Sequence, residues 1–152
     1  MAETMKAHIQ YISEKLDSSN ICFNAVLVFY YHFLTSKEFD KKITDSLTKE
    51  PLSYFHNELF YIEKNVRGQL SEAEEKERKV SLWTVHDKSS GVFCKLLRLL
   101  ISGITSKNSM MDYSNYEEYV AGDFLELIVS CVFEMGEEFS SLLIKFTNEY
   151  KK

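Results

Sequence analysis

Apolar residues recur at helical spacing along almost the whole chain. Met5, Ile9, Ile12 and Leu16 form one stripe with Glu3, Lys6 and Glu14 turned outward, and "DSSN" at 17–20 ends that helix. The stretch 21–34, "ICFNAVLVFYYHFL", is apolar on nearly every side. Its Val and aromatic content favours a strand, but its length fits a buried helix better. At 35–47, "TSKEFDKKITDSL" sets Phe39, Ile43 and Leu47 on one side of a charged helix or turn. Pro51 suits the first turn of a helix, where its missing N–H costs nothing. After it, Leu52, Phe55, Leu59, Ile62 and Val66 make an unbroken stripe, which Arg67-Gly68-Gln69 ends. Ser71 and Glu74 have the spacing of a capping box, in which the Ser caps the helix and the Glu reaches back. The helix they open runs through a charge cluster to Val80, Leu82, Trp83 and Val85.

The stretch 91–104 departs from this amphipathic pattern. Ser89 or Ser90 can cap it. Its polar exceptions, Gly91, Lys95, Arg98 and Ser102, fall on one narrow strip, and Val, Phe, Cys, Leu and Ile cover the rest of the circumference. A helix of that kind must be wrapped by other helices, leaving one strip for water or a ligand groove. A loop follows at 105–118. A long helix at 116–134 then carries Val120, Phe124, Leu125, Leu127, Ile128, Cys131 and Phe133. Gly136 breaks it, and a last helix carries Phe139, Leu142, Leu143 and Phe146. The expectation is an all-α chain, a single domain over 1–152 of seven to eight helices around a buried central helix.

The net charge of −5 argues against nucleic acid, which wants a basic face. Five Gly and one Pro in 152 residues agree with long helices. Cys22, Cys94 and Cys131 are odd in number and set among apolar residues, and are read as reduced, buried thiols. The N-terminus has no signal-peptide core. The longest apolar stretch is shorter than the ~20 residues a spanning helix needs, and the end, "TNEYKK", is polar. The chain thus reads as cytoplasmic, without a transmembrane anchor. The four histidines stand apart, with no His-Glu-x-x-His, Glu-x-x-His or paired Cys-x-x-Cys, so the sequence names no metal ligand and no cofactor. No phosphate-cradling Gly loop or Gly-x-Ser-x-Gly elbow occurs. Lys95 beside Cys94 points another way on a helix and does not activate the thiol. No catalytic residue is assigned, and the reading is a binding protein rather than an enzyme.

Several segments together resemble the Bcl-2 family of apoptosis regulators, particularly its diverged viral members. The segment 5–20 is similar to the family's first helix. The segment 86–103, "HDKSSGVFCKLLRLLISG", is similar to the first Bcl-homology motif, with Asp87 at the Asp, Ser90 at the Asn and Gly91 at the Gly. The segment 136–146, "GEEFSSLLIKF", is similar to the second motif, with Phe139 at the Trp and Leu142 at the Phe. For the third motif, 52–59 offers Leu52 and Leu59, with His56 for Gly and Asn57 for Asp; 33–43 is a competing placement. The first motif's Trp is missing, and Val92 stands where the family has its signature Arg.

The resemblance implies a Bcl-2-like globular bundle and an anti-apoptotic function. A hydrophobic groove would bind and sequester the Bcl-homology-3 helix of pro-apoptotic proteins such as Bim, Bak or Bax. Such a helix lays its i, i+3/i+4 and i+7 residues into the groove. The groove would lie between the 52–66 helix, the 80–85 segment and the start of the central helix. The residues assigned to it are Leu59, Ile62, Val66, Val80, Trp83, Ser90, Gly91, Val92, Lys95, Leu99 and Phe146. With Val92 in place of the Arg, apolar contact would hold the partner. Two alternatives keep other partners open: a viral Bcl-2-fold inhibitor of innate immune signalling adaptors, and a helical bundle of other function. A second copy could cover an exposed groove, making a homodimer. A viral protein of this kind would act in the host cytosol and reach mitochondria through its partners.

Overall fold

The computed structural model describes residues 2–16, 22–111 and 117–150. Over these the protein is all-helical. In order, the helices are α1 (Ala2–Leu16), α2 (Phe23–Leu34), α3 (Lys37–Ser46), α4 (Lys49–Val66), α5 (Glu72–Asp87), α6 (Gly91–Gly103), α7 (Lys107–Met111), α8 (Glu117–Glu134) and α9 (Glu137–Glu149). That is nine helices among the described residues against the seven or eight expected. One added helix is α7, five residues long, inside the expected loop. Its signal was local: the Ser106 hydroxyl accepts the Ser109 N–H at 3.1 Å, capping one turn too short to show a period. The expected helix end at 17–20 and the 112–116 part of the loop lie outside the described residues.

Several starts follow directly from sequence. The capping box forms on α5: the Ser71 hydroxyl accepts the Glu74 N–H at 3.1 Å, and Glu74 Oε1 accepts the Ser71 N–H at 3.2 Å. The α4 helix begins before Pro51, which sits in its first turn. At α6, Ser90 occupies the N-cap position, but its side chain makes no capping bond. The Ser89 hydroxyl instead donates to the Val85 carbonyl at 2.7 Å, closing the end of α5. Gly91 turns the chain there with φ +67°, a conformation open to glycine at little cost.

Two helices share the centre. On α6, Leu96, Leu97, Leu99, Leu100, Ile101, Ser102 and Gly103 are buried, against α5, α4, α8 and α2. On α2, Phe23, Val26, Leu27, Phe29, Tyr30, Phe33 and Leu34 are buried, against α8, α4, α3 and α6. The two are tied by the Tyr30 hydroxyl, which donates to the Leu99 carbonyl at 2.5 Å. The expectation of one enclosed helix is therefore widened to a pair. Helix α1 packs on α8 and α9, with the Tyr11 hydroxyl donating to Asn148 at 2.6 Å. The short α3 anchors through fully buried Phe39 and Ile43, and its Asp40 meets His56 of α4 at 2.6 Å.

The polar strip on α6 faces α8. Arg98 and Lys95 both reach Glu134, at 3.0 and 3.9 Å, and Ser102 is buried beside Cys131. The thiols also differ from expectation. Cys131 is buried and Cys94 half-buried, but Cys22 is exposed at the start of α2.

Candidate functional site

The helices α4 and α5 both lie on α6, and between them runs a seam. Sequence places an apolar stripe on α4, and the structure turns part of it down onto α6. Ile62 is fully buried, with its Cδ1 and Cγ1 at 2.6 and 2.9 Å from where a Cβ on Gly103 would stand. Asn65, one turn on, donates to the Gly103 and Thr105 carbonyls at 2.9 and 3.1 Å, so α4 caps the end of α6 with a side chain.

Long polar and aromatic side chains fill the upper part of the seam. Glu58 of α4 is 6% exposed, and Arg78 of α5 grips it. Arg78 Nη2 meets one carboxylate oxygen and Nε meets the other at 3.3 Å. The guanidinium lies over the Tyr61 ring, 4.8 Å from its centroid, where the ring face favours a cation. Lys64 pairs with Glu74 nearer the turn. The Tyr54 hydroxyl is buried in the same seam, beside the Arg78 guanidinium. Its ring stands edge-on to Phe93 of α6 at 6.1 Å. Burial pushes the Glu58 carboxyl above the usual carboxylate range, with Arg78 opposing. Burial, then the Glu58 charge, likewise push the Tyr54 hydroxyl up, again against Arg78.

The residues assigned to a groove are distributed unevenly around this seam. Ile62 and Leu99 are fully buried, and Leu59, Val66 and Val92 are half-buried against the core. Val80 and Trp83 are on the open face of α5, 63% and 42% exposed, with Trp83 edge-on to His86 at 4.8 Å. Ser90 and Gly91 are exposed at the α5–α6 turn. Lys95 faces Glu134, away from the seam. Phe146 belongs to another cluster, with Phe29, Phe33 and Tyr150 at 5.3, 5.5 and 5.5 Å, and lines a cleft of about 590 Å³ between α2, α3 and α9.

Sequence reading missed Glu58, Arg78, Tyr54, Tyr61 and exposed Phe60. The signal for Glu58 was its place among Phe55, Leu59 and Ile62: a carboxylate on an apolar stripe needs a buried partner. Phe60 is 56% exposed, and its ring lies 5.4 Å from Tyr61. Among the described residues no group of three or more His, Cys, Asp or Glu is placed to hold a metal, and no helix is long and apolar enough to cross a membrane.

These features define an all-helical bundle, 86% helical over the described residues, whose candidate site is a surface between helices. Set against models of known families, characterised proteins and solved structures, the chain matches none. The likeness to the Bcl-2 family rests on the residues set out above.

Proposed function

We propose that this protein is a Bcl-2-like, anti-apoptotic interaction module that captures the amphipathic Bcl-homology-3 helix of pro-apoptotic proteins on the α4–α5 face. The observation that carries this reading is the placement of exposed apolar side chains. Of the four large exposed hydrophobic residues among those described, Phe60, Val80 and Trp83 stand on α4 and α5, and only Tyr11 lies elsewhere. Aromatic anchors of this kind dominate helix-in-groove recognition. Burying the partner's apolar face there would sequester it in the cytosol of a host cell.

Calorimetric titration with Bcl-homology-3 peptides of Bim, Bak and Bax tests the reading. Binding at micromolar affinity or tighter, weakened at least tenfold by Trp83→Ala, is expected. No binding by any of the three overturns it.

A second reading is favoured by the lower seam, where Ile62 is fully buried over Gly103 and α4 packs closely onto α6. A Bcl-2-like chain packed in this way suits an inhibitor of innate immune signalling adaptors working through another surface. Adaptor capture unchanged by Trp83→Ala and Phe60→Ala supports this reading over the first.

A further inference from the structure

We infer that the cavity between the start of α5 and α7 is a cation site, which takes the guanidinium of an arginine on a partner chain. The cavity lies about two turns before Val80 on α5, and the inference stands independently of the helix-binding reading above.

The cavity has a volume of about 260 Å³ and is lined by Leu70 of the α4–α5 turn, Glu72 and Glu75 of α5, and Ser106, Asn108 and Ser109 at α7. That is small for a ligand pocket, with room for one side chain. Glu75 forms part of the wall, its side chain only 7% exposed. Every bond that holds this carboxylate falls on one oxygen. Oε2 accepts from the Ser109 hydroxyl at 2.6 Å, the Lys79 ammonium at 2.9 Å and the Ser106 N–H at 3.2 Å. Oε1 makes no hydrogen bond among the described residues. It is not sealed from solvent, so it opens on the cavity. A carboxylate oxygen in a nearly buried side chain calls for a donor. Glu72 and Asn108 are exposed at the mouth, and neither makes an ion pair or hydrogen bond among the described residues.

The occupant that completes these acceptors is a donor, and charge makes it a cation. Glu72 and Glu75 carry two negative charges, and Lys79 offsets one of them. Hydrogen bonds from Ser109, Lys79 and Ser106 hold the Glu75 carboxyl below its ordinary value, so it is charged at neutral pH. The α5 N-terminus, which would draw an anion, is already served by the Ser71–Glu74 box. A divalent metal suits the donor set poorly: three hydrogen-bond donors already occupy Oε2, one of them an ammonium. A guanidinium suits it better than an ammonium. Its planar fork of five N–H donors can reach Glu75 Oε1, the Glu72 carboxylate and Asn108 Oδ1 together, and it sheds water more easily. Half-buried Leu70 gives the arginine stem an apolar wall.

The test titrates the isotope-labelled full chain with three blocked tripeptides, Ala-X-Ala with arginine, lysine or citrulline at X, and follows the amide NMR signals. The arginine peptide is expected to shift Glu75, Ser106, Asn108 and Ser109, with a Kd of about 1 mM or tighter. The lysine peptide should bind about fivefold more weakly, and the neutral citrulline peptide at least about tenfold more weakly. Glu72→Gln and Asn108→Leu change exposed positions, which spares the fold, and each should weaken the arginine peptide about fivefold. Trp83→Ala should leave it unchanged. Absence of these shifts with the arginine peptide overturns the inference, as does equal binding of the citrulline or lysine peptide. Calcium that moves the same amides at micromolar concentration also overturns it, making the cavity a metal site.

Discussion

Ile62 of α4 rests directly on Gly103 of α6: a Cβ built at Gly103 would stand 2.6 Å from Ile62 Cδ1, 2.9 Å from Cγ1 and 3.2 Å from the Tyr30 ring. This contact lets α4 settle onto α6, and only a hydrogen fits at position 103. Helix propensity alone favours Gly103→Ala by ~1 kcal/mol. Overpacking a closed core costs about 1–3 kcal/mol, and a fully buried Ile62 has no room to turn away. Gly103→Ala is therefore expected to destabilise, and Ile62→Val, which removes the nearest methyl, to recover most of the loss. Urea unfolding of the two single variants and the double variant measures this. Additive losses would show that the two residues do not share the space.

The pairing of α2 with α6 rests on apolar burial and one polar bond, from the Tyr30 hydroxyl to the Leu99 carbonyl. Tyr30→Phe keeps the ring and loses the bond, at a cost of about 1 kcal/mol. Tyr30→Ala also opens a cavity between two central helices, at about 3–5 kcal/mol. Burial holds the Tyr30 hydroxyl well above the usual tyrosine value, so it stays protonated up to strongly alkaline pH. Spectrophotometric titration of the tyrosines should show one group that ionises only on unfolding. Its absence in Tyr30→Phe assigns it.

The strip on α6 that reads as a groove edge serves α8. Lys95 and Glu134 are 43% and 44% exposed at their side chains, and Arg98 shares the same carboxylate. Exposed pairs of this kind contribute about 0–1 kcal/mol. Lys95→Ala should lower stability within that range and leave peptide affinity unchanged. A tenfold loss of peptide binding in this variant would place the interaction surface on α8 instead.

Spacing carried most of the helices, because an apolar stripe over three or more turns has one folded solution. The Ser71–Glu74 box and the break at Gly136 were equally plain, since their physics is local. What sequence did not carry is pairing at a distance. Glu58 and Arg78 lie on different helices, and nothing near either names the other. Val80, Leu82, Trp83 and Val85 go most of the way around α5, so their pattern did not say which would face out. Leu82 is fully buried and Val80 is the most exposed of the four. Lys95 could be placed on a strip, but the element across from that strip depended on the fold.

Two buried glutamates on neighbouring helices should answer pH in opposite directions. Burial raises the Glu58 carboxyl above its ordinary 4.5, with Arg78 only partly offsetting it. The folded state then holds that proton more tightly than the unfolded chain, and the charged form weakens the fold. Its contribution rises as pH falls through the raised value toward 4.5 and is lost again on the way up. At Glu75, burial also pushes upward, but hydrogen bonds from Ser109 (2.6 Å), Lys79 (2.9 Å) and Ser106 together outweigh it, leaving the carboxyl below 4.5. Its contribution is present above 4.5 and lost as pH falls through the lowered value. Subtracting the stability of each Gln variant from that of wild type across pH 3–7.5 isolates the two groups. For Glu58→Gln the difference should grow in favour of wild type as pH drops from 7 to 4.5. For Glu75→Gln it should be about 2 kcal/mol at neutral pH, where the Ser109 and Ser106 donors lose a charged acceptor, and shrink below 4.5. Parallel curves for the two variants would mean that the Arg78 pair and the Ser106–Ser109 clamp hold their carboxylates alike.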